Sequence, residues 1–398
     1  MTPTTASALT SQAAARGSGS TRVYNFGAGP STLPEEMIRQ IQSDIYDYAG
    51  TGMGILELSH RGKEYDAIVA EIDRDVRSVG NIPADYDVLF MTGGATSQNY
   101  IVPANLLPEG ATADHIVTGH WAQGSFDDAK QYTSCHNSGA TVHSAYHGGG
   151  DKFAHLPADS EICYSKSPAY VHMTSNNTLY GTQWLDAQGR TRLPNVPAGA
   201  FLVSDGCSDF FWDEMDVSKF GLIYGGAQKN MGTAGTTFVI VRKDLVARAS
   251  KAIPRMLQYG LFSKEESRPN TPPMFAIYTV GLMVKWVRSQ GGLKAMGQRN
   301  RMKAGLIYDA LDRHAGTGGF YLPHAAKADR SMMNITFKCA AGPAMDDAFV
   351  AGAREHGMDV LKGHRMTGGM RASTYNAMPV EGCRALAEFI DDFARRKG

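Results

Sequence analysis

The sequence lacks several features that would assign it quickly to a class. Its five cysteines, at 135, 163, 207, 339 and 383, include no C-x-x-C pair, which argues against a disulfide framework or structural zinc and for a reducing compartment. It has no net charge: 39 basic residues balance 39 acidic ones. No overall field therefore draws nucleic acid or an anionic membrane face, and any anion site must be local. No apolar run reaches the roughly eighteen residues that a membrane span requires. Residues 1–22 are rich in Ser, Thr and Ala, carry Arg16 and Arg22 but no acid, and lack the apolar core of a secretory signal. A disordered tail is expected there, with organelle targeting the alternative. These absences point to a cytoplasmic protein whose partners are neither nucleic acid nor membrane.

What the chain does have is length and apolar content. With 398 residues and 43% hydrophobic composition, it exceeds what one core usually serves, so a large domain with a smaller one beside it is expected. Short β-branched and aromatic runs alternate with patterned helical stretches, the mark of βαβ units and a mostly parallel sheet. Strands are expected at Val88–Met91, His115–Thr118, Tyr170–Met173, Phe201–Ser204, Leu222–Gly225 and Thr237–Val241. Helices are expected at Glu35–Tyr48, Tyr65–Gly80 and Ser97–Leu107. After Pro272-Pro273 the texture changes: a helix over Met274–Gln290 leads into a C-terminal part with strands at Asn334–Cys339 and Gly369–Ser373. The expected division is a tail over 1–22, a large domain over 23–273 whose first residues can pack on the smaller one, and a small α+β domain over 274–398.

The span Phe201–Gly235 is the most informative. One apolar run delivers Asp205 at its end, and a second, Gly221–Tyr224, delivers Gly225-Gly226-Ala227-Gln228-Lys229-Asn230. In an open parallel sheet, ligands bind beyond the carboxyl ends of the strands, so Asp205 and Lys229 would meet in one crevice. A lysine amine can form a Schiff base with an aldehyde cofactor, and a carboxylate beside a pyridine nitrogen keeps that ring protonated and electron-withdrawing. An ordinary aspartate and a surface lysine are the alternative. The glycines around Lys229 favour the functional reading, because they thin the backbone where a cofactor must approach.

Other stretches fit the same chemistry less specifically. Thr92-Gly93-Gly94-Ala95-Thr96-Ser97 reads as a turn into a helix, whose free amides and dipole suit a phosphate; a plain turn capped by Thr96 or Ser97 is the alternative. Trp121 could stack on an aromatic ring or be a core tryptophan. Thr178 offers a hydroxyl after a strand, while Asn176 and Asn177 could form a turn. Basic residues gather at His60-Arg61, at His364-Arg365 and at Arg371, which suits a substrate with an anion at each end; ordinary surface charge is the alternative for each. His136, His143 and His147 lack metal-ligand spacing, so no metal is expected and a polar surface loop is preferred. Gly27-Ala28-Gly29 lacks the third glycine of a dinucleotide fingerprint and follows only a very short apolar run, which argues against a dehydrogenase.

Taken together, Asn25–Pro30, Ser59–Glu64, Gly226–Asn230 and Gly368–Asn376 resemble, in order, the class V aminotransferases of the fold-type I pyridoxal-phosphate superfamily, over about Tyr24 to Lys397. The resemblance implies an α/β fold with a large, mostly parallel mixed sheet flanked by helices and a smaller α+β C-terminal domain. It implies pyridoxal 5′-phosphate as cofactor and amino transfer between L-glutamate and 3-phosphooxypyruvate, giving 2-oxoglutarate and O-phospho-L-serine, as in serine biosynthesis. Whether 4-phosphooxy-L-threonine is a second substrate stays open. Position by position it makes Lys229 the Schiff-base lysine and Asp205 the partner of the pyridinium nitrogen. Trp121 would stack on the ring, Thr178 support it, and Ala95, Thr96 and Gln228 hold the phosphate. In the homodimer the family forms, Asn270 and Thr271 would reach the neighbour's cofactor phosphate, and His60 and Arg61 the distal anion of the neighbour's substrate. Arg371 would grip the α-carboxylate, with His364 and Arg365 at the distal end. Two departures bear on specificity: an aromatic segment, Phe210-Phe211-Trp212, after Asp205, and Ala95-Thr96 where some members carry Gly-Arg. Among rivals on this fold, a cysteine desulfurase would need Cys339 on a mobile loop, yet Cys339 ends an apolar run and is expected to be a buried strand residue. The substrates of alanine-glyoxylate-type enzymes have no distal anion to use His60 and Arg61, and a non-catalytic binding protein would not need the intact Asp205 and Lys229.

Overall fold

The computed structural model describes residues 22–136, 139–316 and 318–398; the tail expected over 1–22 lies outside them except for Arg22. The strands are β1 (Tyr24–Asn25), β2 (Tyr86–Met91), β3 (Thr112–Val117), β4 (Thr141–His147), β5 (Tyr170–Thr174), β6 (Asn176–Asn177), β7 (Thr182–Gln183), β8 (Phe201–Asp205), β9 (Leu222–Gly226), β10 (Thr237–Arg242), β11 (Tyr321–Pro323), β12 (Asn334–Cys339), β13 (Met358–Asp359) and β14 (Met370–Ser373). Seven of them form one sheet in the order β2-β10-β9-β8-β5-β3-β4. Only β10 runs against its neighbours; the others are parallel. The carboxyl ends of the parallel strands therefore lie along one edge, and the turns that follow β2, β3, β5, β8 and β9 open there.

Side-chain alternation along these strands serves two apolar layers. Phe90, Ile116, Val171, Leu202, Ile223, Phe238 and Ile240 enter the larger cluster, with the helices Lys63–Gly80 and Met274–Ser289. Leu89, Met91, Ala113, Tyr170, Val203, Leu222, Tyr224, Val239 and Val241 face the opposite side, against the helix Gly94–Leu106. With both faces covered, the strands read as near-continuous apolar runs, which is why they are legible without helical periodicity. A third cluster joins the antiparallel sheet β11-β12-β14 to the helices Gly292–Arg313, Pro343–Glu355 and Val380–Lys397. Phe26 packs in that third cluster and β1 pairs with β13, while the helix Met274–Ser289 packs on the large sheet. No helix among the described residues is long and apolar enough to cross a membrane.

One expectation is corrected. His143 and His147 lie not in a polar surface loop but in β4, the last strand of the large sheet, paired with β3. Its one buried position, Ala145, leaves so weak an apolar pattern that the polar, histidine-rich text hides the strand. His143 Nε2 is 2.9 Å from the Cys163 carbonyl and His147 Nε2 is 2.8 Å from Gln123 Oε1, whereas His136 stacks on Tyr132 at 4.0 Å.

Two histidines, by contrast, are fully enclosed. His115 on β3 and His172 on β5 stack at 4.6 Å, nearly parallel at 15°. His172 Nε2 meets the Tyr224 hydroxyl at 2.9 Å and Ser125 Oγ at 3.2 Å; its Nδ1 and both nitrogens of His115 have no partner among the described residues. Burial drives His172 down to about 3, and burial with the neighbouring His172 drives His115 well below its usual range. Both are therefore neutral in the folded chain, while an unfolded chain takes up protons below about pH 6.5. The unfolded state then binds more protons, so stability is complete above that pH and falls beneath it. We expect a loss of about 1.4 kcal/mol per pH unit per histidine below about pH 6. His115→Leu, which removes only unpartnered nitrogens, should remove one histidine's share of that slope in urea melts at pH 7.5, 6 and 5.

Candidate active site

The crevice at the carboxyl edge of the large sheet is built from several turns. β2 runs into Gly93, whose φ of 98° is left-handed, and the helix Gly94–Leu106 starts directly after it. That start lies earlier than the sequence pattern suggests, and neither Thr96 nor Ser97 caps it; Ser97 Oγ donates back to the Gly94 carbonyl at 2.8 Å. The first amides of the helix are left without a side-chain cap, and a Cβ added at Gly94 would meet nothing within 4 Å. Such a turn has room and donors for a phosphate. β3 runs through Gly119 to His120 and Trp121, and β5 to Asn176, Asn177 and Thr178.

β8 and β9 deliver the central pair. Their parallel register sets Asp205 opposite Tyr224, and the turn after Gly226 returns Lys229 toward the carboxylate. Asp205 Oδ1 accepts the Cys207 amide at 2.9 Å, and Oδ2 has no protein donor among the described residues. Burial raises the Asp205 carboxyl above its ordinary range, against the Cys207 amide and Lys229, which favour the anion. Burial disfavours the Lys229 ammonium, but Cys207, Tyr375 and Asp205 outweigh that and hold the amine above the usual lysine range. Its Nζ lies 3.3 Å from Thr178 Oγ1. Residues 28–31 strap this turn from above: the Ser31 amide donates to the Gln228 carbonyl at 2.9 Å, and Ser31 Oγ donates to the Lys229 carbonyl at 2.5 Å.

These groups line one cleft of about 350 Å³, which holds Ala95, Thr96, Trp121, Thr178, Asp205, Gln228, Lys229, His364 and Arg371 of the residues singled out from sequence. Trp121 is 42% exposed, so it is not a core tryptophan and its ring is available at the cleft. Arg371 comes from β14 of the small sheet. Its Nε is buried without a partner among the described residues, and burial lowers its pKa against the nearby Tyr375 hydroxyl. A half-buried guanidinium with an idle donor has the chemistry to receive a carboxylate. His60, Arg61, Asn270, Thr271 and Arg365 do not line the cleft of a single chain; Arg61, Asn270, Thr271 and Arg365 are exposed. Cys339 is buried in β12, where burial pushes its thiol up to about 12, so it is placed neither to move nor to attack.

Sequence reading passed over Asn99, Thr174, Asn176, Cys207 and Ser208, which also line the cleft. Asn176 is no turn former: it pairs in β6 with β7, and its amide donates to Ser208 Oγ at 2.8 Å and to Asn334 Oδ1 at 2.7 Å. Position after a strand end was the available signal for Cys207 and Ser208, which directly follow Asp205. Behind them Ser175 donates to the Asp209 carboxylate and Gln183 Nε2 does so at 3.0 Å; burial raises Asp209 to about 7.

The residues present suit pyridoxal phosphate. An uncapped helix start receives an anion, the unpartnered Asp205 Oδ2 can face a ring nitrogen, a buried amine can take an aldehyde, and an exposed indole borders the space. Comparison with known proteins agrees. Residues 23–386 match the profile of the family "Aminotransferase class-V". A phosphoserine aminotransferase of Geobacillus kaustophilus is 43% identical over 94% of this chain and 99% of its own. A solved phosphoserine aminotransferase from Bacillus circulans subsp. alkalophilus superposes with a TM-score of 0.88 at 41% identity, covering 95% of this chain and all of the other. A PLP-bound phosphoserine aminotransferase from Trichomonas vaginalis superposes at 0.85 with 32% identity, over 93% and 99% of the two chains.

The turn after β3 yields a direct prediction. Gly119 is extended, and a Cβ there would sit 2.3 Å from Asn177 Oδ1, beside Thr178. Gly119→Ala should cost roughly 1–3 kcal/mol through displaced packing, measured as a lower urea midpoint, with weaker cofactor retention on dialysis.

Proposed function

The chain belongs to the class-V aminotransferases, pyridoxal-phosphate-dependent transaminases, and we propose that it moves an amino group from L-glutamate to 3-phosphooxypyruvate. The products are 2-oxoglutarate and O-phospho-L-serine, in serine biosynthesis in the cytoplasm. One observation carries the reading: Asp205, Lys229 and the idle guanidinium of Arg371 converge on one cleft whose rim adds His364. The first two serve cofactor chemistry, the third an α-carboxylate, and His364 the distal anion that glutamate and phosphoserine share.

When bound, pyridoxal phosphate supplies an aldehyde for attachment and an electron-poor ring that accepts the electron pair left at Cα. The chain's residues do the rest. Lys229 would hold the cofactor, and its freed amine would take the proton from the substrate Cα as a general base and deliver it as a general acid to the cofactor carbon that receives the nitrogen. Asp205, made more basic by burial, holds a proton at the ring nitrogen. Trp121 and Thr178 fix the ring, while Ala95, Thr96 and Gln228 with the helix start receive the phosphate. Arg371 orients the substrate by its α-carboxylate. In a homodimer, Asn270 and Thr271 of a second copy would complete the phosphate site, and its His60 and Arg61 would join His364 and Arg365 at the distal anion. The exposure of Arg61, Asn270 and Thr271 in a single chain supports that arrangement. We also place the division between the two parts near residue 273, with residues 23–273 bearing the cofactor and the helix Met274–Ser289 packing back on them.

An absorbance spectrum tests the proposal. The purified protein should be coloured, lose the band on addition of L-glutamate and regain it with 3-phosphooxypyruvate; Lys229→Ala should show neither change. A protein that takes up no pyridoxal phosphate would sink the reading, and recovery only with another keto acid would keep the enzyme class and discard the substrate. For Arg371→Ala, the lost charged hydrogen bonds should raise KM for both substrates by roughly tenfold or more, with the cofactor still bound. Unchanged kinetics for both would remove Arg371 from the site.

A further inference from the structure

The rim of the cleft carries one basic residue that the reading above does not use. His120 is the first residue of the helix that follows β3, directly before Trp121, and its ring packs edge-on against that indole at 4.9 Å. It also faces the small sheet's side of the cleft: the His120 and His364 rings lie 6.3 Å apart, tilted by 36°. Burial first, then Arg371, His120 and Arg365, disfavour the charged form of His364, and no acid opposes them. Among the described residues none of these four basic groups enters an ion pair. Two guanidiniums and two imidazoles thus stand at the cleft mouth without an acid, and a multiply charged anion draws on more of their donors, and favours their charged forms more, than a singly charged one.

We infer that His120 is a further specificity-determining residue, meeting the distal anion beside His364 and favouring phosphate over carboxylate. The inference rests on the substrate reading above. A carboxylate offers two oxygens at the distal end, which the arginines and His364 can saturate. A phosphate offers three and carries more charge, so it can accept one donor more. His120 is placed to be that donor, because Gly119 is buried and extended and sets the first helical residue at the rim instead of against the sheet.

The test uses the cofactor-loaded enzyme with His120→Ser and His120→Gln. KM and kcat are measured for O-phospho-L-serine and for L-glutamate, together with inhibition by inorganic phosphate and cofactor retention on dialysis. Loss of one hydrogen bond to a charged group should raise KM for phosphoserine about tenfold in His120→Ser and weaken inhibition by phosphate in step. The change in KM for glutamate should stay below about threefold, kcat should hold, and His120→Gln, which keeps a donor, should recover most of the loss. Equal losses for both substrates, or loss of cofactor instead, would make His120 a prop for Trp121 and overturn the inference. A variant that discriminates as the wild type does would overturn it as well, leaving the substrate reading intact. A wild type with no preference for phosphorylated substrates would remove that reading and this inference together.

Discussion

The site depends on a buried carboxylate and a buried amine held at the ends of adjacent parallel strands. Desolvation works against the anion of Asp205 and the cation of Lys229 alike; it prevails at Asp205 and is overcome at Lys229 by Cys207, Tyr375 and Asp205. Each makes the other tolerable, and the Cys207 amide adds a donor that water would otherwise supply. The arrangement is possible because β8 and β9 are central strands of a sheet covered on both faces, so their register cannot slip without exposing an entire apolar face. The stiffness of that sheet is what keeps two desolvated charges close at the edge where the turns open.

The small sheet is tied to this edge by polar groups as much as by apolar ones. Asn230, next to Lys229, accepts the Asn376 amide at 3.0 Å, and Asn376 in turn is held by Asn300 at 2.8 Å and donates to the Phe211 carbonyl at 2.9 Å. Lys303, fully buried, donates to the carbonyls of Thr374 and Tyr375 at 2.9 and 2.7 Å, and burial lowers it to about 7. The Tyr375 hydroxyl donates to the Ala28 carbonyl at 2.9 Å, in the strap that crosses Lys229. Asn176 does the same from the short β6–β7 pair that follows β5, bonding Asn334 of β12. Buried polar groups of this kind are costly when unpaired, so they admit one seating of β14 and fix where Arg371 enters the cleft.

Much of this was legible in the sequence for identifiable reasons. The strands buried on both faces announced themselves as apolar runs, and β12 was found over the same residues, Asn334–Cys339. β4 was missed because an edge strand needs only one apolar layer and here shows a single buried residue. The helix starts earlier, at Gly94, than its pattern suggests because glycine is a poor helix former, and the open space beside it is not a propensity signal. Asn176 looked like a turn former because asparagine favours turns; its partners Ser208 and Asn334 are far away in sequence, and nothing local reveals them.

By itself the sequence determined the order of chemistry-bearing turns after apolar strands, and with it the α/β fold class and the meeting of Asp205 and Lys229 at one sheet edge; the cofactor class came from the likeness of whole motifs to a known family. The fold class and that meeting follow from local rules: the period of side chains on a strand, the conformational freedom of glycine, and the edge of a parallel sheet at which turns emerge. Tertiary structure alone decided that Arg371 reaches the large sheet's cleft with an idle donor, that Asn176 and Asn230 join the two sheets, that His115 and His172 are sealed as neutral rings, and that His120 faces His364. Each of those pairs residues remote along the chain, and charge, burial and hydrogen bonding depend on distance in space, which spacing along the sequence does not encode.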